Sequence, residues 1–433
     1  MAEQFPINKV GRGYISCDFR KLMENKMKKT VFSLLAGLSL AYGAEKPNIP
    51  ELIKEKSPQA SLKRIQVQDG YKLELAASEP MIVEPTIAGF DGNGNMYVFE
   101  WLSYMQNIKD TKHKDAISRI SLLKDTDNDG VFDTKTVFVD KVVCPRMLLV
   151  LHDRILVNFS WDSTIYSFQD TDGDDVADKK EIAIEGEPHG GNLEHMESGM
   201  VWNRDNIIDS KYNRYKYKNG KLEVVGPGIQ TQWGLAHDDV GRPYGTFAGS
   251  GIPAKGFQIP AAYRQLTVKE ELEEGFKTVY GNNIIPDYTS HGTRDGFDRK
   301  DSTIWEDTLI GGRLNRLQSF SASVGINIYR GHGMKELYGD AIIPDHVGRL
   351  VRRGKHALVD GIRVLRNPYP KNEFIRSDDP YFRPVQALTG PDGSIYILDM
   401  YRGIVQEKNW FWETGPRYHL VKKLGMQKVV RNG

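Results

Sequence analysis

Two runs of aspartate stand at alternating positions in this chain of 433 residues: Asp125, Asp127, Asp129 and Asp133, then Asp170, Asp172, Asp174 and Asp178. Each follows a short apolar stretch of strand character, Arg119 to Lys124 in the first case and Ile165 to Gln169 in the second. Carboxylates at loop positions 1, 3, 5 and 9, with the backbone carbonyl of position 7 (Val131 or Val176), offer the all-oxygen shell that calcium takes. Glu181 stands at position 12 of the second loop, where the EF-hand pattern has a bidentate carboxylate, but Thr136 holds that place in the first. Gly130 fills the sharp-turn position of the first loop and Asp175 that of the second. Neither loop is flanked by helical periodicity, so an EF-hand proper is excluded and a calcium loop set in a β-hairpin is expected. The competing reading is an ion-free turn, since Asp and Gly both accept turn dihedrals.

The elements that must carry these loops repeat along the chain. Alternating apolar residues, a Gly/Asp/Asn turn and a second apolar run occur in Pro85 to Glu100, Pro145 to Val157, Ser198 to Asp209, Trp233 to Gly245 and Pro384 to Asp399. A weaker copy, its two strands separated by a longer insertion, runs from Ser323 to Asp345. Self-similarity of this kind, two strands and a tight turn in each copy, is the signature of propeller blades. The expectation is an all-β, six-bladed β-propeller over residues 63–425, with a long insertion at about 254–316 that contains a short helix near Val268. A pair of β-sandwiches would need a linker-like break, and none interrupts the repeats after residue 62. Residues 45–62 read as a linker or strap and residues 426–433 as a tail.

Composition agrees with many short strands joined by turns: 42 Gly, 20 Pro and 10% aromatics. A formal net charge of +1, from 58 basic and 57 acidic residues, supplies no basic field, so nucleic acid is not expected as a partner. Cys17 and Cys144 make neither a haem-attachment nor a metal-binding Cys pair. Met27-Lys-Lys-Thr followed by the apolar run Val31 to Leu40 has the form of a secretory signal, with cleavage after Gly43 or Ala44. That core is too short to span a bilayer, so an exported protein, periplasmic or extracellular and without a transmembrane span after cleavage, is expected. Met27 then serves as initiator, with residues 1–26 upstream of it. The alternative is a buried N-terminal helix over residues 31–42.

Leu193-Glu-His-Met-Glu-Ser-Gly-Met-Val-Trp, Gln232-Trp-Gly-Leu-Ala-His-Asp-Asp-Val-Gly-Arg and Asp399-Met-Tyr-Arg-Gly-Ile-Val-Gln carry a resemblance across roughly residues 60 to 425. Together with Asn213-Arg-Tyr-Lys-Tyr and Tyr329-Arg-Gly, they resemble the secreted propeller module of planctomycete and verrucomicrobial membrane-bound dehydrogenases. That module is related to sorbosone dehydrogenases and soluble quinoprotein glucose dehydrogenases. The resemblance implies oxidation of a sugar or polyol by pyrroloquinoline quinone beside a calcium ion. It implies a histidine as general base, His195 with His189 as second candidate, since an imidazole titrating near neutrality can take a hydroxyl proton. Gln232, Trp233 and Arg402 are the candidate cofactor-binding residues, although for Arg402 a salt bridge locking the last blade to the first is the favoured reading. Relatives grip the quinone carboxylates with an Arg before this Gln segment, where this chain has Gln230, and hold calcium at a Gly-Pro pair to which Gly251 and Pro253 loosely correspond. Family members commonly continue into a c-type cytochrome domain, so no haem is expected in this chain, and a separate c-type cytochrome is the implied electron acceptor.

Two other readings remain at this level. One is a calcium-stabilised propeller that binds carbohydrate or protein without redox chemistry. The other is a lactonase-type hydrolase, for which Glu84, Asn192 and Asn327 would converge on a central calcium. His237 with Asp238 and Asp239 reads as a hairpin tip, His291 with Arg294, Asp295 and Asp298 as a solvated loop cluster, and Trp410, Phe411 and Trp412 as aromatic closure.

Overall fold

The computed structural model describes residues 56–188, 191–229, 231–246, 253–257, 260–261, 277–279, 320, 322–359, 362–369, 372–377, 379, 381–405, 407–410, 413, 418, 421–422 and 425–427. His189, Gln230, Gly251, the signal-like segment, the His291 cluster, Phe411 and Trp412 lie outside them. Residues 49–433 form one compact unit.

Each alternating repeat folds as an antiparallel hairpin whose turn residues supply the dihedrals it needs. Between Pro85–Phe90 and Met96–Glu100, Asp91 accepts the amides of Asn93 and Asn95 at 2.8 and 2.9 Å, and Gly94 takes the left-handed φ of +87°. Ser118–Lys124 and Thr134–Val142 complete this first blade. The second consists of Pro145–Val150, Ile155–Phe159, Ile165–Gln169 and Lys179–Ile184. The third is Met200–Trp202, Ile207–Ser210, Asn213–Lys218 and Lys221–Pro227. Leu235–His237, Pro243–Gly245, Lys255–Phe257 and Lys277–Val279 form the fourth. Its outer two strands come from the stretch that reads in sequence as insertion.

The fifth blade runs outward from Asn327–Ile328 through Ala341–Asp345 and Leu350–Val359 to Ile375–Ser377. Its outermost strand, Ile65–Val67, comes from the start of the described chain. Ile362–Arg366 folds back on the distal half of Leu350–Val359. The sixth repeat yields only the pair Pro384–Thr389 and Ile395–Asp399. Among the described residues the propeller therefore has five blades, not six. The repeat in the sequence marks the inner hairpin of every blade, whereas blade status needs outer strands. After Asp399 the chain instead runs through a buried non-strand segment, Met400 to Val405.

Apolar residues fill the spaces between neighbouring sheets. Met147, Leu156 and Ile165 of the second blade meet Met200, Ile208 and Tyr215 of the third. Phe99, Ile120 and Phe138 of the first blade pack with Val157 and Phe168 of the second and with Met400, Ile404 and Val405 from the C-terminal segment. Side chains close the ring where strands do not. The Gln386 amide accepts from Ala88 N at 2.6 Å and donates to Ala88 O at 3.2 Å, 298 residues away in sequence. Helix is confined to short pieces among the described residues, such as Pro58–Leu62 within the expected strap, capped by Ser57. No helix there is long and apolar enough to cross a membrane.

Candidate functional site in the axial cavity

The innermost strands of all the sheets surround a cavity of about 500 Å³. Its walls are mostly aliphatic, from Ile87, Leu148, Val324 and Val385 among others, as expected where Val, Ile and Leu of inner strands converge on an axis. Among its polar and aromatic residues, Glu194, His195, Gln232 and Trp233 come from the segments that enter these strands and Arg146 from the start of one, beside others such as Arg330 and His346.

Trp233 is held in the left-handed region at φ 59°, a conformation a large side chain adopts only when its surroundings require it. Its amide donates to Ser198 Oγ at 3.0 Å and its indole Nε1 to Glu194 O at 2.7 Å. The next residue must be glycine, since a Cβ on Gly234 would lie 2.7 Å from the Gly325 amide nitrogen. This fixes the Trp233 ring 4.6 Å from the Arg146 guanidinium and edge-on to Trp101 at 5.4 Å.

Arg146 is 1% exposed. Its Nε donates to Glu197 O, and Nη1 to Leu193 O at 3.0 Å and Ser160 Oγ at 3.3 Å, while Nη2 is buried without a partner. No carboxylate among the described residues forms an ion pair with it. Burial pushes its pKa down to about 9, with Glu197 and Glu407 among the groups that oppose the shift, so the guanidinium is charged at neutral pH. A buried cation with a spare donor favours an anion, because leaving it unpaired costs several kcal/mol; Nη2 has no exposed surface, so an anion would reach it only with the Trp233 ring moved aside.

His195 sits exposed at the same mouth. Gln232 Nε2 donates both to Glu194 O, at 2.5 Å, and to His195 Nδ1, at 2.9 Å. The carbonyl contact identifies that atom as the amide nitrogen, so Nδ1 is the acceptor and the ring proton resides on Nε2. Partial burial, then the nearby Lys211 ammonium, hold His195 below the ordinary histidine range, so the ring is neutral. Lys211 Nζ is fixed on His195 O at 2.5 Å. Beneath this loop lies Glu197, 2% exposed, whose Oε1 accepts from Ser210 Oγ at 2.5 Å and Tyr212 N at 3.1 Å while Oε2 has no partner. Burial pushes its carboxyl up to about 7.

The cavity thus gathers His195, Gln232 and Trp233 and adds two residues that the sequence reading missed. Arg146 had a signal, a charge inside the otherwise apolar repeat Pro145 to Leu151. His346 had none; it lines the cavity from the fifth blade with Nδ1 buried and unpartnered, and burial with Arg383 nearby pushes its pKa down to about 3.

Arg402 does not line the cavity. Its guanidinium pairs with Glu84 at 2.9 Å and donates to Tyr104 O at 2.7 Å and to Met105 O, joining the C-terminal segment to the first blade. Glu84, Asn192 and Asn327 do not converge either: of the three, only Asn327 lines the cavity, with its amide on Thr389 Oγ1 at 2.9 Å. His237 faces the carbonyls of Asp238 and Trp202 with its two ring nitrogens, each at 2.9 Å, while Asp238 accepts the turn amides of Val240 and Arg242.

The two Asp loops close hairpins on the first and second blades with nearly the same bonds. Asp125 Oδ2 accepts from Gly130 N and Asp170 Oδ2 from Asp175 N, both at 2.8 Å. Asp129 accepts from Val131 N at 2.7 Å and Asp174 from Val176 N at 2.9 Å. Asp133 and Asp178 take the hydroxyls of Thr126 and Thr171 at 2.7 and 2.5 Å. Asp125, Asp127 and Asp133, and likewise Asp170, Asp172 and Asp174, offer carboxylate oxygens within 4.8 Å of one another. The crowding raises Asp127, chiefly through Asp129, and Asp172, chiefly through Asp174. Glu181 stands apart on its strand, near Lys179 at 3.2 Å and Arg154 at 3.7 Å. Lys124 links the loops through Asp175 at 2.6 Å.

Fold and site define an all-β propeller whose axial cavity is bordered by a buried guanidinium without an ion-pair partner among the described residues. The chain belongs to the DUF7133 family, described as a domain of unknown function, whose pattern matches residues 57–431. No curated protein matches it in sequence. Solved structures to which it is similar include a Trichoderma reesei carbohydrate-active enzyme of family AA12, at 11% identity over 81% of this chain and 97% of that one, TM-score 0.49. Another is the PQQ domain of pyranose dehydrogenase from Coprinopsis cinerea, at 10% identity over 77% and 94%, TM-score 0.44. A putative oxidoreductase (glucose dehydrogenase) from Thermus thermophilus shares 11% identity over 79% and 96%, TM-score 0.44.

Proposed function

We propose that this protein is an exported, dehydrogenase-like propeller that oxidises a hydroxyl group of a small sugar or polyol with pyrroloquinoline quinone in its axial cavity. The observation that carries this reading is Arg146, a buried guanidinium with a free Nη2 and no counter-charge, lying against an aromatic wall in a cavity large enough for a flat tricyclic acid. It supplies from the second blade the cationic grip that Gln230 cannot supply from the segment before Gln232.

Arg146 would hold a quinone carboxylate once the Trp233 indole that covers it turns aside, and Trp233 with Trp101 would border the rings. When bound, the quinone supplies a two-electron acceptor. His195 offers Nε2–H as a donor to a substrate oxygen. To receive a hydroxyl proton at Nε2 instead, the ring proton must move to Nδ1, which requires Gln232 to turn its carbonyl oxygen toward it. Gln232 therefore decides whether His195 donates or accepts. Electrons leave to a separate c-type cytochrome, and calcium in the Asp125 and Asp170 loops stabilises the first two blades.

The test is a titration of the purified full chain with pyrroloquinoline quinone, followed by absorbance and Trp fluorescence, with aldoses and polyols then supplied with a reducible dye. A charge-assisted hydrogen bond contributes about 1.5–3 kcal/mol, so Arg146→Gln should weaken binding about 10- to 100-fold. Absence of saturable binding, or equal binding by Arg146→Gln, refutes the proposal.

A further inference from the structure

The C-terminal segment reaches the His195 loop through a reciprocal contact. Glu194 and Glu407 are 213 residues apart, yet each donates its backbone N–H to the other's carboxylate: Glu194 N to Glu407 Oε1 at 2.6 Å, and Glu407 N to Glu194 Oε1 at 2.7 Å. Tyr104 braces the pair, its hydroxyl 3.0 Å from Val405 O and 3.3 Å from Glu194 Oε1. Glu407 is 4% exposed and is not part of the cavity wall. On its other side, Glu194 presents the carbonyl that receives both Gln232 Nε2 and Trp233 Nε1. That carbonyl orients the Gln232 amide, and the Gln232 amide sets the tautomer of His195. It also fixes the indole that covers Arg146.

We propose that Glu407 is a positioning residue for the cavity mouth: by holding the backbone of Glu194 it sets the His195 tautomer and the seat of Trp233 on Arg146. The inference rests on the reading of His195, Trp233 and Arg146 as one ligand site. Docking of the C-terminal segment alone would need no such coupling, because the Arg402–Glu84 pair and the packing of Ile404 and Val405 already fasten it.

The test compares Glu407→Gln with Glu407→Ala in the full chain. Gln keeps an oxygen for Glu194 N, and Ala leaves that amide without its acceptor. Long-range proton–nitrogen spectra of histidine-labelled protein report the tautomer directly, with His195 assigned by its loss in His195→Asn. The wild type and Glu407→Gln should show the Nε2–H form, and Glu407→Ala a mixture of tautomers. Pyrroloquinoline quinone affinity should fall about tenfold in Glu407→Ala and be rescued in Glu407→Gln. An unchanged His195 spectrum in folded Glu407→Ala overturns the proposal. If that variant does not fold, Glu407→Asp carries the test, since its shorter side chain draws the carboxylate away from Glu194 N; an unchanged spectrum there is equally decisive. Should the tautomer shift while quinone binds to none of the proteins, the positioning role stands and the quinone reading fails.

Discussion

Arg402→Met separates a closure role from a cofactor role for this residue. Arg402 and Glu84 have side chains 4% and 1% exposed, 2.9 Å apart, and the guanidinium also saturates two main-chain carbonyls. Methionine fills similar space but leaves the Glu84 charge buried and those carbonyls short of a donor. Breaking one side of a buried ion pair costs about 3–5 kcal/mol. With an unfolding entropy of about 2.1 cal/mol/K per residue, residues 57–431 give roughly 0.8 kcal/mol/K. A loss of about 4 kcal/mol then lowers Tm by about 5 °C. Urea unfolding at neutral pH, with calorimetry for Tm, measures both. Glu84→Gln in the Arg402→Met background removes the stranded charge and should recover at least half of the loss. Quinone affinity of the folded variant should stay within threefold of wild type. A destabilisation under about 1 kcal/mol, or a loss of affinity without a loss of stability, would refute the closure argument.

Three further outcomes are expected. In the Asp loops, the folded state raises Asp127 and Asp172 and lowers Asp133 and Asp170, so with chelator present the first pair's contribution to stability should fall as pH rises through and just above the usual carboxylate range, while the second pair's is lost only as pH falls through and below it. Calcium should cancel that fall, and Asp127→Asn with Asp172→Asn should abolish the calcium response of Tm; a Tm indifferent to calcium in wild type would return the loops to plain turns. Glu197, raised from 4.5 to about 7, favours the protonated folded state, so stability is greatest below 4.5, declines between 4.5 and 7 by about 3 kcal/mol, and is flat above. Glu197→Gln should flatten that segment of the urea-midpoint profile, and an unchanged slope would show that other groups produce it. Cys144, fully buried and pushed up to about 12, should resist alkylation at pH 8 in native protein and react on unfolding, as peptide mapping would show.

The inner hairpins were legible in the sequence because alternation and turn residues are local properties. Each of the six recurring stretches became an antiparallel pair, down to the Asp91 turn that ends at Gly94. The number of blades was not legible, because the recurring pattern marks only inner hairpins and one outer strand, Ile65–Val67, is borrowed from the far end of the chain. His195, Gln232 and Trp233 meet in space because they flank neighbouring inner strands, which the motif spacing foreshadowed. For Arg402 the favoured reading, a salt bridge closing the ring, is what the structure shows, while its partner Glu84 could not be named because it depends on how the ring closes. The same holds for Arg146, whose chemistry lies in what it lacks: an unpartnered nitrogen is a property of the packed structure.

Ring closure also bears on the order in which the protein can be made. Glu84 emerges from the ribosome early and Arg402 only 318 residues later, and a similar delay separates Ala88 from Gln386 and Ile65–Val67 from Ile375–Ser377. At about 5–20 residues per second, the first blade waits tens of seconds with an acidic group it cannot bury, and the strand Ile65–Val67 ahead of it waits as long for its partner in the fifth blade. The nascent chain is thus a growing row of exposed sheets, and native burial of Glu84 is deferred until the last segment arrives. Chaperone demand and susceptibility to premature termination should accordingly concentrate in that interval.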